Sequence, residues 1–137
     1  MNRNRIIISG LAAGVFILGT NVLAGEYVAR HVANFSIDTG PVAADVVRSL
    51  FLGVISMLLY AIIAKSRGRR NETAITTGLL VFLVSVLFPP FSMAMNGAMP
   101  GRAFLIYIVW NAVGIPLATL AGAQFYRDEL EPVSLPA

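Results

Sequence analysis

The chain has 137 residues, of which 57% are hydrophobic and only 12% are charged, whereas a typical soluble domain carries about 25% charged residues. Four apolar segments joined by short polar connectors are more than a water-soluble core of this length can bury, which excludes an ordinary soluble domain. The net charge is +3, but the cations stand at the edges of the apolar segments, where they favour membrane orientation over nucleic-acid binding. We therefore predict an all-α integral membrane protein that binds no nucleic acid.

The first predicted helix covers Ile6 to Gly25 and follows a basic leader at Met1 to Arg5. Its 20 residues would span about 30 Å, the thickness of the hydrocarbon core. Polar residues then recur every four positions, which predicts an amphipathic extension to Phe35 at the membrane interface. A cleaved signal peptide is the alternative, because Val22-Leu23-Ala24 is a small-residue cleavage sequence after an apolar region. The sequence leaves open whether residues 1–24 are removed.

Three more helices are predicted, at about 41–65, 72–95 and 103–126, and residues 127–137 are predicted to be a disordered cytoplasmic tail. Pro89-Pro90 removes two backbone donors from the third of these four helices. That helix either ends at the prolines or kinks there and continues to about residue 95.

The basic residues divide unequally between the two sides of this arrangement. Seven fall on one side: Arg3, Arg5, Lys65, Arg67, Arg69, Arg70 and Arg127. Three fall on the other side: Arg30, Arg48 and Arg102. Because cytoplasmic loops are enriched in Lys and Arg, we predict an antiparallel four-transmembrane-helix bundle, residues 1–126, in a bacterial inner membrane, with both termini cytoplasmic. The basic run at Lys65, Arg67, Arg69 and Arg70 is expected to contact anionic lipid.

Two predicted helices carry small or amide side chains on one face. The first helix has Gly10, Gly14, Asn21 and Gly25, and the last has Asn111, Gly114, Ala118 and Gly122. Small residues at this spacing let helix backbones approach closely, so we predict that the two faces meet, within a monomer or across a dimer. An Asn21–Asn111 hydrogen bond would join the helices, or the two amides would line a polar path for a substrate.

Residues that carry catalysis or bind metals are scarce. No catalytic dyad, phosphate loop or H-E-x-x-H motif is present, and the chain has no cysteine, so we predict no enzyme activity, no cofactor and no metal site. One histidine, His31, stands beside Glu26, Arg30 and Asn34 on the outer side. A solvated interfacial face explains these four residues, and pH sensing or metal binding by His31 is the alternative.

Residues 107–117 read Tyr-Ile-Val-Trp-Asn-Ala-Val-Gly-Ile-Pro-Leu. This segment resembles the Y-x-x-W-x-x-V-G-I segment of small multidrug resistance transporters, which are compact four-helix antiporters that work as dimers. In that family the segment belongs to the third helix, whereas here it lies in the last. The family also uses a membrane-embedded glutamate in the first helix, and residues 10–22 of this chain contain no acid.

A second local pattern, Glu26-x-x-x-Arg30-x-x-x-Asn34, is similar to the E-x-x-x-R-x-x-x-N pattern of membrane-associated eicosanoid and glutathione enzymes. Those enzymes are four-helix trimers, and the resemblance implies that Arg30 and Asn34 would bind glutathione. Their motif lies on the second helix, whereas here it follows the first.

In overall layout the chain resembles short four-helix bacterial inner-membrane proteins of uncharacterised families. We expect a non-enzymatic structural or accessory subunit that acts through helix packing, as a homo-oligomer or with a membrane-protein partner. A small multidrug-type transporter or channel is the alternative, and a glutathione-dependent membrane enzyme is the second alternative.

Overall fold

In the computed structural model the described residues are 3–32, 42–67 and 70–126. They form α1 (Arg3–His31), α2 (Val42–Arg67), α3 (Arg70–Phe82), a π-helical segment (Leu83–Leu87), α4 (Phe88–Met95) and α5 (Gly101–Phe125). The predicted all-helical class is confirmed for this part of the chain. Three helices, α1, α2 and α5, are long and apolar enough to cross a membrane.

Several predictions fall outside the described residues. They are the extension from residue 33 to Phe35 with Asn34, the helix start at Pro41, the basic residue Arg69 and the tail at 127–137. The side chain of Arg67 is outside them as well.

Helix α1 joins the predicted first span and the start of its extension without a break. It ends at His31, and its last turn contains Arg30 and His31. Positive charge in the last turn of a helix is favourable, because the backbone dipoles leave partial negative charge there. The part of the predicted extension up to His31 therefore forms the C-terminal end of one long helix.

The third predicted helix is divided into α3, the π-helical segment and α4, which contain 13, 5 and 8 residues. Pro89 and Pro90 lie in the first turn of α4, directly after the π-helical segment. Backbone amides of a first turn need no intrahelical acceptor, so the prolines are tolerated there. Helical structure thus continues through both prolines to Met95, one of the two outcomes that the sequence left open.

The helices pack side by side, with α1 against α2 and α5, and with α3 against α5 and α2. Three clusters of buried apolar side chains fill the interior. One includes Ile6, Ala13, Met57, Tyr60, Ala61, Ala64, Ala74, Ala123 and Tyr126. The second includes Ile17, Leu52, Val81, Phe82, Ile115 and Ala118. The third includes Val28, Val32, Met99 and Ala103.

Helices α1 and α2 approach each other closely where three glycines meet. A Cβ added to Gly10 would lie 2.6 Å from the Cα of Val54, and one added to Gly14 would lie 2.6 Å from the Cα of Leu50. A Cβ added to Gly53 would overlap the carbonyl oxygen of Gly10 and the amide nitrogen of Gly14. The two backbones are therefore in direct contact, which is possible only without side chains at these positions.

A second close approach joins α3 to α5. A Cβ added to Gly78 would overlap the backbone of Pro116 and would lie 3.1 Å from the Thr119 Oγ1. Near the other end of α5, the rings of Phe91 and Phe104 lie 6.4 Å apart between centroids. These contacts hold both parts of the divided helix against α5.

The glycine contact predicts the effect of single methyl groups. Gly53→Ala should destabilise the protein by about 1–3 kcal/mol, because the helices must separate to admit the methyl group. Gly19→Ala is the matched control, because a Cβ added at this exposed glycine of α1 would meet nothing within 4 Å. Thermal unfolding in detergent, followed by circular dichroism, measures both variants. Equal unfolding temperatures for the two would contradict the direct backbone contact.

Candidate functional site

The predicted small-residue faces of the first and last helices do not meet as expected. Gly10 and Gly14 face α2, because Gly53 supplies the matching gap on that helix. Helix α5 does contact α1, but at other residues: a Cβ added to Gly122 would lie 2.9 Å from the carbonyl oxygen of Ser9. Within one chain the α1 glycines therefore pack on α2 and not on the last helix, and a meeting of the two faces across a dimer stays a prediction.

The other members of the two faces also differ in their surroundings. Gly114 faces Thr20 of α1, whose Oγ1 would lie 3.3 Å from an added Cβ. Ala118 is buried in the central cluster beside Ile17. Gly25 is half-buried, and an added Cβ would meet nothing within 4 Å. The α5 face is thus used for packing along its length, whereas the α1 face is used only in its first half.

The two asparagines do not hydrogen-bond to each other. Asn111 is buried and its Nδ2 donates to the carbonyl oxygen of Tyr107 at 3.0 Å, within the same helix. The Oδ1 of Asn21 is buried and has no hydrogen-bond partner within the described part of the chain. The predicted interhelical bond is therefore absent from the described part of the chain, where Asn111 donates to its own helix.

Buried hydroxyl groups behave in the same way. Ser9, Ser56, Thr77 and Thr119 each donate to a carbonyl oxygen one turn earlier in their own helix, at 2.6 to 2.9 Å. Such bonds satisfy a hydroxyl without joining it to a neighbouring helix. These side chains therefore provide no hydrophilic lining between the helices.

The outer end of α1 carries the residues of the E-x-x-x-R pattern. Arg30 and Glu26 form an ion pair at 3.5 Å, with 76% and 66% of their side chains exposed. His31 is exposed, donates from Nδ1 to the carbonyl oxygen of Tyr27 at 2.9 Å, and stacks on the Tyr27 ring at 4.1 Å between centroids. The Tyr27 ring lies 6.2 Å from that of Trp110 on α5. Stacked aromatic rings at a helix end are typical of a membrane–water interface.

A polar contact joins α2 to α5 on this same side. The Arg48 guanidinium hydrogen-bonds to the hydroxyl of Tyr107, and the Asp45 carboxylate lies close enough to interact with that hydroxyl. Sequence reasoning placed Arg48 among the outer charges, but gave no sign that it meets Tyr107. This contact lowers the free-energy cost of placing the Arg48 charge within the membrane-crossing region.

Another polar cluster lies at the opposite end and was not predicted. Arg70 of α3 donates from Nη2 to the Oε1 of Gln124 on α5. The Tyr60 ring of α2 packs edge-on against that of Tyr126, with centroids 6.1 Å apart. The Arg70 guanidinium interacts electrostatically with the Tyr60 phenol. A lone tyrosine within the apolar run at residues 57–64 is the one sequence signal for this cluster, because a buried phenol needs a hydrogen-bond partner.

Metal binding has no support from the arrangement of acidic and histidine side chains. Within residues 3–32, 42–67 and 70–126, no group of three or more His, Cys, Asp or Glu side chains stands close enough to hold an ion.

Of the predicted lipid contacts, Lys65 is exposed and Arg70 is half-buried.

The separate hydrogen bonds of the two asparagines predict additive effects. Asn21→Leu and Asn111→Leu should change the free energy of unfolding by amounts that add within about 0.5 kcal/mol in the double variant, because the side chains share no hydrogen bond. Thermal or denaturant unfolding in detergent of the wild type, both single variants and the double variant measures this. A coupling energy above about 1 kcal/mol would indicate a direct Asn21–Asn111 bond instead.

No protein-family model, curated protein or solved structure matches this chain. The resemblances at residues 26–34 and 107–117 therefore depend on those short segments alone, and the geometry of the helices is what bears on function.

Proposed function

We propose that the chain is a multi-pass protein of a bacterial inner membrane that acts, through helix packing, as a non-enzymatic structural or accessory subunit. The mean hydropathies of the most apolar parts of α1, α2 and α5, between 1.8 and 2.2, support the membrane location. Large apolar side chains are exposed along all three helices, for example Val15, Phe51 and Val109. Surfaces of this kind suit contact with lipid and are rare on soluble monomers.

Four antiparallel crossings are supported by the order of the contacts and by helix length. Gly10 lies against Val54 and Gly14 lies against Leu50, so residue numbers rise along α1 as they fall along α2. The contacts of α3 with α5 follow the same opposite order. Residues 70–95 would extend about 39 Å as a helix, which exceeds the hydrocarbon thickness of about 30 Å. The divided helix is therefore the fourth crossing in this proposal.

The observation that carries the functional proposal is how the interior is filled. Backbones touch at Gly10, Gly14, Gly53 and Gly78, and the buried hydroxyls of Ser56, Thr77 and Thr119 are satisfied within their own helices. A transport path needs polar groups that face a shared space, whereas this interior is occupied by apolar and small side chains. Packing against another membrane helix is the activity that such a bundle supports best.

A small transporter or channel is the second candidate, and one observation favours it. Arg48, Asp45 and Tyr107 form a polar contact in the outer half of the bundle, and the buried Oδ1 of Asn21 has no partner within the described residues. Ionisable groups at membrane depth often mark substrate pathways. A transporter would bind its solute at these polar groups, whereas a subunit that acts through packing would not.

The proposed orientation predicts which single cysteines can be labelled in whole cells. Asn96, in the turn before α5, and Ser66, near the end of α2, are both exposed, and the native chain contains no cysteine. An impermeant maleimide should label Asn96→Cys in intact spheroplasts, and should label Ser66→Cys only after permeabilisation. The reverse pattern would contradict cytoplasmic termini, and labelling of both positions from one side would contradict an odd number of crossings between them.

The proposed role predicts assembly beyond the monomer. Native mass spectrometry of the protein released from nanodiscs should give a discrete mass above that of one 14.7 kDa chain, either a homo-oligomer or a complex with another membrane protein. Gly19→Leu should weaken this assembly, because Gly19 leaves open space on the lipid-facing side of α1. Gly101→Leu is the control and should leave the assembly intact, because Gly101 also has open space around it but is the first residue of α5, at the end of the bundle. A wild-type protein that is released only as a monomer would contradict the proposal.

A further inference from the structure

The polar cluster at the end of α2 contains two atoms that lack hydrogen-bond partners. Tyr60 is fully buried, with 0% of its surface exposed, and its hydroxyl has no partner within the described residues. The Nε of Arg70 is likewise buried without a partner there. Tyr60 packs in one cluster with Ala74, one turn after Arg70 on α3, and with Ala123, next to the Gln124 that Arg70 contacts on α5, so both atoms belong to one region between α2, α3 and α5.

The chemistry of these two atoms defines what would satisfy them. A guanidinium is always charged and donates hydrogen bonds through every N–H, so the Nε of Arg70 requires an acceptor. The Tyr60 hydroxyl can donate to the same acceptor. A positively charged donor beside a neutral one favours an anionic oxygen, and guanidinium groups bind phosphate oxygens especially well.

The position of the cluster indicates where such an oxygen would come from. Arg70 is the first residue of α3 and the last residue of the basic run that begins at Lys65, on the side proposed to be cytoplasmic. Its hydrogen bond to Gln124 is exposed, so the edge of the cluster opens toward the surface while Tyr60 lies behind it. Phospholipid phosphates occupy this level of a bilayer, and the cytoplasmic leaflet carries the anionic ones.

We propose that Tyr60 and Arg70 bind the phosphate of an anionic phospholipid, with the Tyr60 hydroxyl and the Arg70 Nε donating to a phosphate oxygen. This inference rests on the proposed membrane orientation. It assigns lipid binding to one buried pair of side chains, whereas the basic run alone would attract anionic lipid only through its overall charge. Lys65, exposed and five residues earlier, adds to the local positive potential but lies outside the phosphate site.

Thermal unfolding of the full chain in mixed micelles tests the site. Phosphatidylglycerol added to micelles of dodecyl maltoside, a detergent without phosphate, should raise the unfolding temperature of the wild type, since a ligand that binds the native state stabilises it. Tyr60→Phe should reduce this shift by about half or more, because it removes the donor while keeping the ring. Arg70→Lys, which keeps the charge but loses the Nε donor, should do the same. Lys65→Gln is the control and should keep the shift.

Each other result contradicts the site in a defined way. A full shift in Tyr60→Phe would mean that the hydroxyl binds only water, and an equal loss in Lys65→Gln would mean that diffuse charge attracts the lipid. A shift produced by inorganic phosphate, sensitive to Tyr60→Phe, with none from phosphatidylglycerol, would identify free phosphate as the ligand and overturn the lipid assignment. Cysteine labelling tests orientation separately: a reversed orientation with the Tyr60 effect intact would leave the site standing in the opposite leaflet.

Discussion

Direct contact between the backbones of α1 and α2 constrains the positions of the other helices. Within a membrane, apolar side chains gain little by leaving lipid, so helices associate through close packing and a few polar contacts. Gly10, Gly14 and Gly53 allow that packing on one side of α1. The side of α1 that carries Ser9 and Ala13 is then left for α5, which meets it at Gly122. Helix α1 therefore packs against both α2 and α5.

Polar contacts between helices complement this packing near the two ends of α5. Tyr107, which meets Arg48, and Gln124, which meets Arg70, are about 26 Å apart along the helix axis. Between them, Thr119 is satisfied within α5, and α3 is held by the contact of Gly78 with Pro116. Close packing thus holds the helices together near the middle of α5. The contacts of Tyr107 and Gln124 lie nearer the ends of α5, where water or headgroups would lower the free-energy cost of placing polar groups between helices.

The helical class, the apolar spans and the continuation of helix past Gly25 could be predicted, because length, hydropathy and polar spacing are local properties of the sequence. The partner of each glycine face could not. Gly53 and Gly78 each follow a small residue by four positions, Ser49 and Ala74, but this spacing does not tell which helix the small residues face. The pairing of Tyr60 with Arg70 was missed for a related reason: a tyrosine in an apolar run is typical of a core, and its neighbour across the bundle is set by packing.

The π-helical segment at Leu83–Leu87 bears on how the chain tolerates changes in length. A π turn contains one residue more than an α turn, and each residue of an α-helix turns the side-chain direction by about 100°. The surface that α4 presents is therefore rotated relative to α3, which brings Phe91 to Phe104 of α5. Loss of one residue here would turn α4 by about 100° relative to α3 and carry Phe91 away from that ring. A single extra residue within a continuous helix has the form of this π-helical segment. Here the extra residue aligns both α3 and α4 with the same neighbour, α5.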